Sequence, residues 1–201
     1  MRIKIYSGLS VLIFGIMIFS VSGQYVENAS FLIQYSDQLS GFSRYSLRPS
    51  ETGWELSSRT FINYIADEDT FFRSSEEKTK LAFNMYPVHY RCNIVNKNGK
   101  SDIEAVFSPK DVMISSRSDP DKNCRSEIEE KTFLFDHLIS HYVLIAKRID
   151  PSNNNGESFN IVEPEKCSTG YITTIPNDFM YYDDKAVRKI DIYMDEQLDA
   201  S

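Results

Sequence analysis

Asn98-Gly99 lies between two segments of alternating apolar residues, and this constrains the fold more than any other feature of the chain. An Asn-Gly pair favours a two-residue type I′ turn, because both central positions take φ > 0. Tyr90, Cys92 and Ile94 precede the pair on one parity, and Ile103, Ala105 and Phe107 follow it. A turn centred on Asn98-Gly99 predicts Ile94 opposite Ile103, Cys92 opposite Ala105 and Tyr90 opposite Phe107. These pairs share one face, with Asn93–Glu104 and Val95–Asp102 on the other. Turn chemistry and period two agree, so 90–107 reads as an antiparallel hairpin.

The same alternation recurs upstream. Trp54 to Ile65 reads as a long strand, Phe42 to Leu47 as a shorter one, and Pro49 to Gly53 as the turn between them. Leu81, Phe83 and Met85 alternate with Lys80, Ala82 and Asn84 and predict another half-buried strand. Asp67-Glu68-Asp69 and Ser74 to Lys78 read as polar connectors, so 31–107 forms an antiparallel meander. Further on, Ser126 and Glu129 have the spacing of a capping box, and Leu134, Leu138 and Tyr142 recur at helical spacing. They predict a helix of about 14 residues within 126–141, with Tyr142 to Ile149 as a candidate separate strand. Val112 to Ser118, Ser158 to Glu163 and Tyr171 to Ile175 look extended. The acidic segment after Pro176 fits a helix (Val187, Ile190, Met194, Leu198) or a strand (Ile190, Ile192, Met194). The fold class expected is α+β, mainly β: an antiparallel sheet, curved or barrel-like, packed with one or two helices.

The N-terminus supplies a compartment. Arg2 and Lys4 precede an apolar run from Leu9 to Val21, too short for a span of about 20 residues but suited to a signal-peptide core. Val21-Ser22-Gly23 offers small residues before a cleavage site at Gln24. Residues 1–23 therefore read as a signal peptide, with a retained anchor as the alternative, and 24–201 as one secreted domain. Loss of Arg2 and Lys4 takes the formal charge from −7 to −9. A chain this acidic repels phosphate backbones, so nucleic acid is not an expected partner. No second apolar run implies a membrane span in the mature chain. Asn28-Ala29-Ser30, just beyond the cleavage site, is a glycosylation sequon.

Cys92, Cys124 and Cys167 would enter an oxidising space, where one pair closes and one cysteine is left over. The spare is expected to be buried as a small hydrophobe, or else to bridge two chains in a dimer.

Candidate chemistry is sparse. Asp119, Asp121, Asn123, Glu127 and Glu130 stand at positions 1, 3, 5, 9 and 12 of a calcium-loop spacing. Cys124 replaces the glycine that such a loop wants at its sixth position, and a solvated acidic turn is the alternative. His137 and His141 are four apart, as a metal pair on a helix would be, but lack a third ligand nearby. They read more simply as two partly exposed histidines. No Gly-x-Ser-x-Gly, phosphate-binding glycine loop or Cys-x-x-Cys occurs. Paired acids such as Asp67/Asp69 and Asp183/Asp184 read as solvated loops. With 13 Phe and 12 Tyr, aromatic side chains are plentiful enough to line a ligand cavity, for which Trp54, Phe83 and Ile94 are the candidates.

Three partial resemblances follow from these residues. Tyr90-x-Cys92 with Asn96 and Gly99 is similar to the F–G hairpin of immunoglobulin domains, but no cysteine precedes Trp54. Gly53-Trp54 in an acidic, aromatic chain is similar to lipocalins, though it stands far from the mature N-terminus. Tyr64 to Glu77, with its acids, Arg73 and the later Cys92, resembles ependymin-related and LolA-like secreted proteins. That last likeness implies a curved half-barrel able to hold lipid. Each covers a small part of the chain, which is assigned to none of these families. The function expected is a secreted, non-enzymatic binding protein carrying a small apolar or lipid-like ligand. The alternatives are an extracellular protein-interaction or structural module and, third, a secreted hydrolase with dispersed residues.

Overall fold

A computed structural model describes residues 9–21, 24–35, 38–66, 69–136, 138–150, 155–182 and 185–195. Among the described residues the chain is mostly strand with one short α-helix, and closure into a barrel is not seen. Nine strands follow one another in a single antiparallel sheet: β1 (Leu9–Val21), β2 (Gln24–Tyr35), β3 (Gln38–Ser50), β4 (Gly53–Ala66), β5 (Asp69–Leu81), β6 (Pro87–Asn96), β7 (Gly99–Phe107), β8 (Asp111–Ser116) and β9 (Cys124–Glu127). A second sheet has the order β10 (Phe133–Leu134), β11 (Glu157–Glu163), β12 (Ser168–Tyr182) and β13 (Lys185–Asp195). β10 runs parallel to β11 and the other pairs are antiparallel. The helix α1 (Ile139–Ala146) connects β10 to β11.

Helix α1 reads Ile-Ser-His-Tyr-Val-Leu-Ile-Ala, apolar on nearly every side, as a helix packed from both sides should be. Ile139, Val143 and Leu144 pack on Phe31, Tyr45, Leu47 and Leu56 of the large sheet. Tyr142 and Ile145 pack on Phe133, Phe135, Ile161 and Ile172 beside the small sheet. A third cluster joins Tyr90, Cys92, Ile94, Ile103, Ala105, Val112 and Ile114 to Leu134, Leu138 and Val162. One face of the large sheet, called inner below, is thus packed against α1 and the second sheet.

The meander expected over 31–107 is present, with three local corrections. The β6–β7 hairpin turns at Lys97-Asn98, so that Asn96 pairs with Gly99, Ile94 with Ser101, Cys92 with Ile103 and Tyr90 with Ala105. The Asn96 side chain accepts the Asn98 N–H at 2.9 Å, and Gly99 takes the positive φ (125°) just after the turn. The register therefore slips by two, which keeps every apolar residue on its expected face. Second, Leu81–Met85 is not a strand: β5 stops at Leu81, and Ala82–Tyr86 closes on itself with Met85 at φ 68°. Third, Ser74–Lys78 is no connector but the middle of β5, paired with β4 and β6.

Outside the meander, the helix expected over 126–141 is also corrected. Cys124–Glu127 pairs with β8 and Phe133–Leu134 with β11, so those backbone groups are already committed to sheets. Leu134 and Leu138 join one core cluster and Tyr142 another, so their spacing of four arises from different packing partners. Leu9–Val21, the core of the expected leader, lies along β2 in the full chain, and the acidic segment contributes β13.

A disulfide joins Cys124, at the edge strand β9, to Cys167 in the turn between β11 and β12, tying the two sheets together. Cys92 is free and buried in the core. By loop-closure entropy, a link across 43 residues contributes about 4 kcal/mol. The Cys124→Ser, Cys167→Ser double variant is expected to unfold in urea with a loss of that order, and unchanged stability would refute the tie.

Candidate functional site

Strand β5 positions the most unusual chemistry in the protein. Arg73, Ser75, Glu77 and Thr79 occupy successive inner-face positions, while Ser74, Glu76, Lys78 and Lys80 face outward. Polar residues thus fill both parities, which is why the segment carries no period-two signal. The register sets Ser58 and Cys92 beside Glu77, Thr60 and Ile94 beside Ser75, and Ile62 and Asn96 beside Arg73.

Glu77 is fully buried, and four donors converge on its carboxylate. Ser58 Oγ (2.6 Å) and Ser140 Oγ (2.7 Å) donate to Oε2; Thr79 Oγ1 (2.6 Å) and His141 Nε2 (2.9 Å) donate to Oε1. His141 Nδ1 accepts the backbone N–H of Asp136 at 2.9 Å, so the ring is held as its Nε2–H tautomer. Burial pushes the Glu77 carboxyl up. His141, followed by the Ser58 and Thr79 hydroxyls, outweighs this and brings it from 4.5 down to about 2.

Asp136 extends the network: it accepts Tyr90 Oη at 2.6 Å and the Glu165 N–H at 3.1 Å. Burial raises the Asp136 carboxyl, and burial followed by the nearby Asp136 charge raises the Tyr90 phenol. The Cys92 thiol, also raised by burial, stands at about 12. A thiol so resistant to ionisation is a poor nucleophile. A second buried acid, Glu27, accepts Tyr45 Oη and pairs with Lys147 at 2.6 Å, anchoring β2 to the residue that follows α1.

Serine, histidine and carboxylate meet here without the geometry of a relay. Nucleophilic catalysis needs the imidazole within reach of the hydroxyl proton. Ser140 and His141 instead both donate to the same carboxylate, and both are shut off from solvent. The cluster fastens α1 to β4 and β5. Beyond it, Arg73 Nη1 pairs with Glu165 at 2.8 Å, whereas Arg73 Nη2 and Ser75 Oγ are buried with no hydrogen-bond partner. An unsatisfied buried donor costs about 1–3 kcal/mol. Ser43 and Thr60, nearest along the sheet, bond each other at 2.7 Å.

The residues singled out from sequence fall in several places. Ile94 is in the β6–β8 core, Trp54 packs partly buried against the β2–β5 cluster, and Phe83 is 72% exposed in the turn after β5. These three do not line one cavity. In the calcium-like segment, Asp119 precedes a 3₁₀ turn (Pro120–Lys122), Asn123 Oδ1 accepts the Ser116 N–H, and Glu127 belongs to β9. Glu130 is exposed in a following turn, and among the described residues no three metal-capable side chains converge. Asn28 lies on β2 beside Ser46 of β3, next to a shallow pocket shared with Arg44, Ser57 and Arg59. His137, Asp67, Asp183 and Asp184 lie outside the described residues. His141 is buried and bonded at both nitrogens, contrary to the partly exposed position expected of it.

The chain matches no known protein family, no curated protein and no solved structure.

Glu77→Ala leaves the Ser58, Thr79, Ser140 and His141 donors buried without their shared acceptor, at about 1–3 kcal/mol for each that stays unpaired, so a loss of several kcal/mol is expected in chemical denaturation. The pH dependence is specific. A carboxyl depressed from 4.5 to about 2 contributes about 3 kcal/mol, fully present above pH 4.5 and lost as pH falls to 2. Asp136, raised, has the opposite sign: its contribution is full below 3.8 and falls as pH rises. The stability gap between wild type and Glu77→Gln is therefore expected to narrow from pH 4.5 towards 2, read by Trp54 fluorescence. A gap that stays constant would mean that Glu77 is not the ionised centre.

Proposed function

We propose that this chain is a secreted binding protein that carries a small apolar or lipid-like ligand against the inner face of its large sheet. The observation that carries this reading is the apolar end of β3–β5. On the inner face, Tyr64 and Phe71 stack at 5.0 Å beside Ile62, and Phe71 is 40% exposed. None of the three belongs to a core cluster. On the outer face, Phe42, Phe61 and Phe72 form a ladder of ring contacts at 6.0 and 5.8 Å. Leu39 and Ile65 lie at the same end, 66% and 71% exposed. Grouped exposed apolar surface of this kind marks a ligand or partner site, since leaving it in water is costly. The disulfide is compatible with an oxidising compartment.

A second reading, recognition of another extracellular protein, draws on the outer ladder. A disulfide-linked dimer gains no support, because Cys124 and Cys167 pair with each other and Cys92 is buried.

The two faces can be tested separately by fluorescence titration of delipidated protein with an uncharged apolar dye. Exchanging one buried aromatic contact for a polar one forfeits about 2 kcal/mol, or roughly 30-fold in affinity. Tyr64→Ser and Phe71→Ser are each expected to weaken dye binding by that order, whereas Phe42→Ser leaves it unchanged. No dye binding to the wild type, or loss only in Phe42→Ser, would overturn the inner-face reading.

A further inference from the structure

Arg73 and Ser75 lie on the inner face of β5, between the closed Glu77 network and the stacked Tyr64–Phe71 pair. They are two residues apart on one face, roughly 7 Å along the strand. Each buries a polar atom with no hydrogen-bond partner, Nη2 on one and Oγ on the other. Ser75 is only 2% exposed, so its hydroxyl cannot turn to solvent. The neighbouring Thr60 hydroxyl is already bonded to Ser43. Both unpartnered groups can donate, so together they suit an acceptor oxygen.

The surrounding charges decide what kind of acceptor. The guanidinium is already matched by Glu165 at 2.8 Å. The ionised Glu77 lies next on the same face, and Asp136 accepts the N–H of Glu165 itself. A bound carboxylate or phosphate would add another negative charge where one cation is already balanced. A neutral oxygen adds none and still satisfies both donors.

We propose that Arg73 Nη2 and Ser75 Oγ hold the uncharged polar head of an amphipathic ligand, an alcohol or carbonyl oxygen, while its apolar body lies over Ile62, Tyr64 and Phe71. This inference rests on the ligand-carrying reading above and adds the chemical class of the head.

The test uses the delipidated protein loaded with N-phenyl-1-naphthylamine, an uncharged dye, displaced by dodecanol, dodecanoate or dodecane. Dodecanol is expected to compete about 5- to 10-fold better than dodecane, as one or two hydrogen bonds would give, and better than dodecanoate. Ser75→Ala removes an unsatisfied hydroxyl and leaves the fold intact. It is expected to keep or raise the melting temperature, to weaken dodecanol by about 5-fold, and to leave dodecane unchanged. Arg73→Lys retains a cation for Glu165 but lacks the second guanidinium arm, and is expected to show the same selective loss. Equal competition by dodecanol and dodecane, preference for dodecanoate, or an unaffected Ser75→Ala, with dye binding intact, would overturn the head-group assignment alone. A wild-type protein that binds neither dye nor any probe would remove the ligand-carrying reading and this inference together.

Discussion

Four hydrogen bonds converge on the Glu77 carboxylate, and the arrangement of β4, β5 and α1 follows from the need to satisfy it. Taking a carboxylate out of water costs several kcal/mol, repaid only when its acceptor sites are filled. The donors come from β4 (Ser58), β5 (Thr79) and α1 (Ser140 and His141), so none of these elements can shift alone without exposing the penalty. His141 passes the constraint to Asp136, which fixes Tyr90 on β6 and the Glu165 backbone N–H near the end of β11. A register slip of one residue in β5 would turn Glu77 and Thr79 outward together and leave the Ser58, Ser140 and His141 donors unpaired.

This centre divides the inner face of β5 into zones. Leu81 belongs to the apolar core, and Thr79 and Glu77 to the bonded polar centre. Ser75 and Arg73 then carry buried groups without partners, and Phe71 reaches solvent. The order runs from satisfied to unsatisfied along one strand. Unmet hydrogen-bonding capacity and exposed aromatic surface occur side by side, away from the rigid network, and this juxtaposition underlies the assignment of the ligand's polar head. The disulfide adds a separate tie between β9 and the small sheet, so the two sheets are joined covalently as well as through α1.

About half of the large sheet, β3, β4 and β6 to β8, was legible in the sequence because these strands obey period two. β4, β6, β7 and β8 bury alternate residues, and the hairpin misjudged only which pair of residues makes the turn. The strand through Ser74–Lys78 was illegible because its buried positions are polar, and polar residues on both parities look like a loop. The helix was displaced for a related reason: apolar residues at a spacing of four came from β10, a connector and α1, each facing a different part of the core. The site was hidden more completely. Glu77 meets His141 across 64 residues and Tyr90 meets Asp136 across 46, and no local spacing encodes such pairs.

By itself the sequence determined the strand-dominated class, the antiparallel order of the meander and the presence of one unpaired cysteine. These depend on alternation, turn chemistry and count, which are properties of neighbouring residues or of composition. Only the tertiary structure decided which cysteines pair, where the helix starts and why polar residues sit inside β5. Each of those turns on partners distant along the chain. The free energy of burying a charge or an apolar ring is set by what packs against it, and that is known only once the chain has folded.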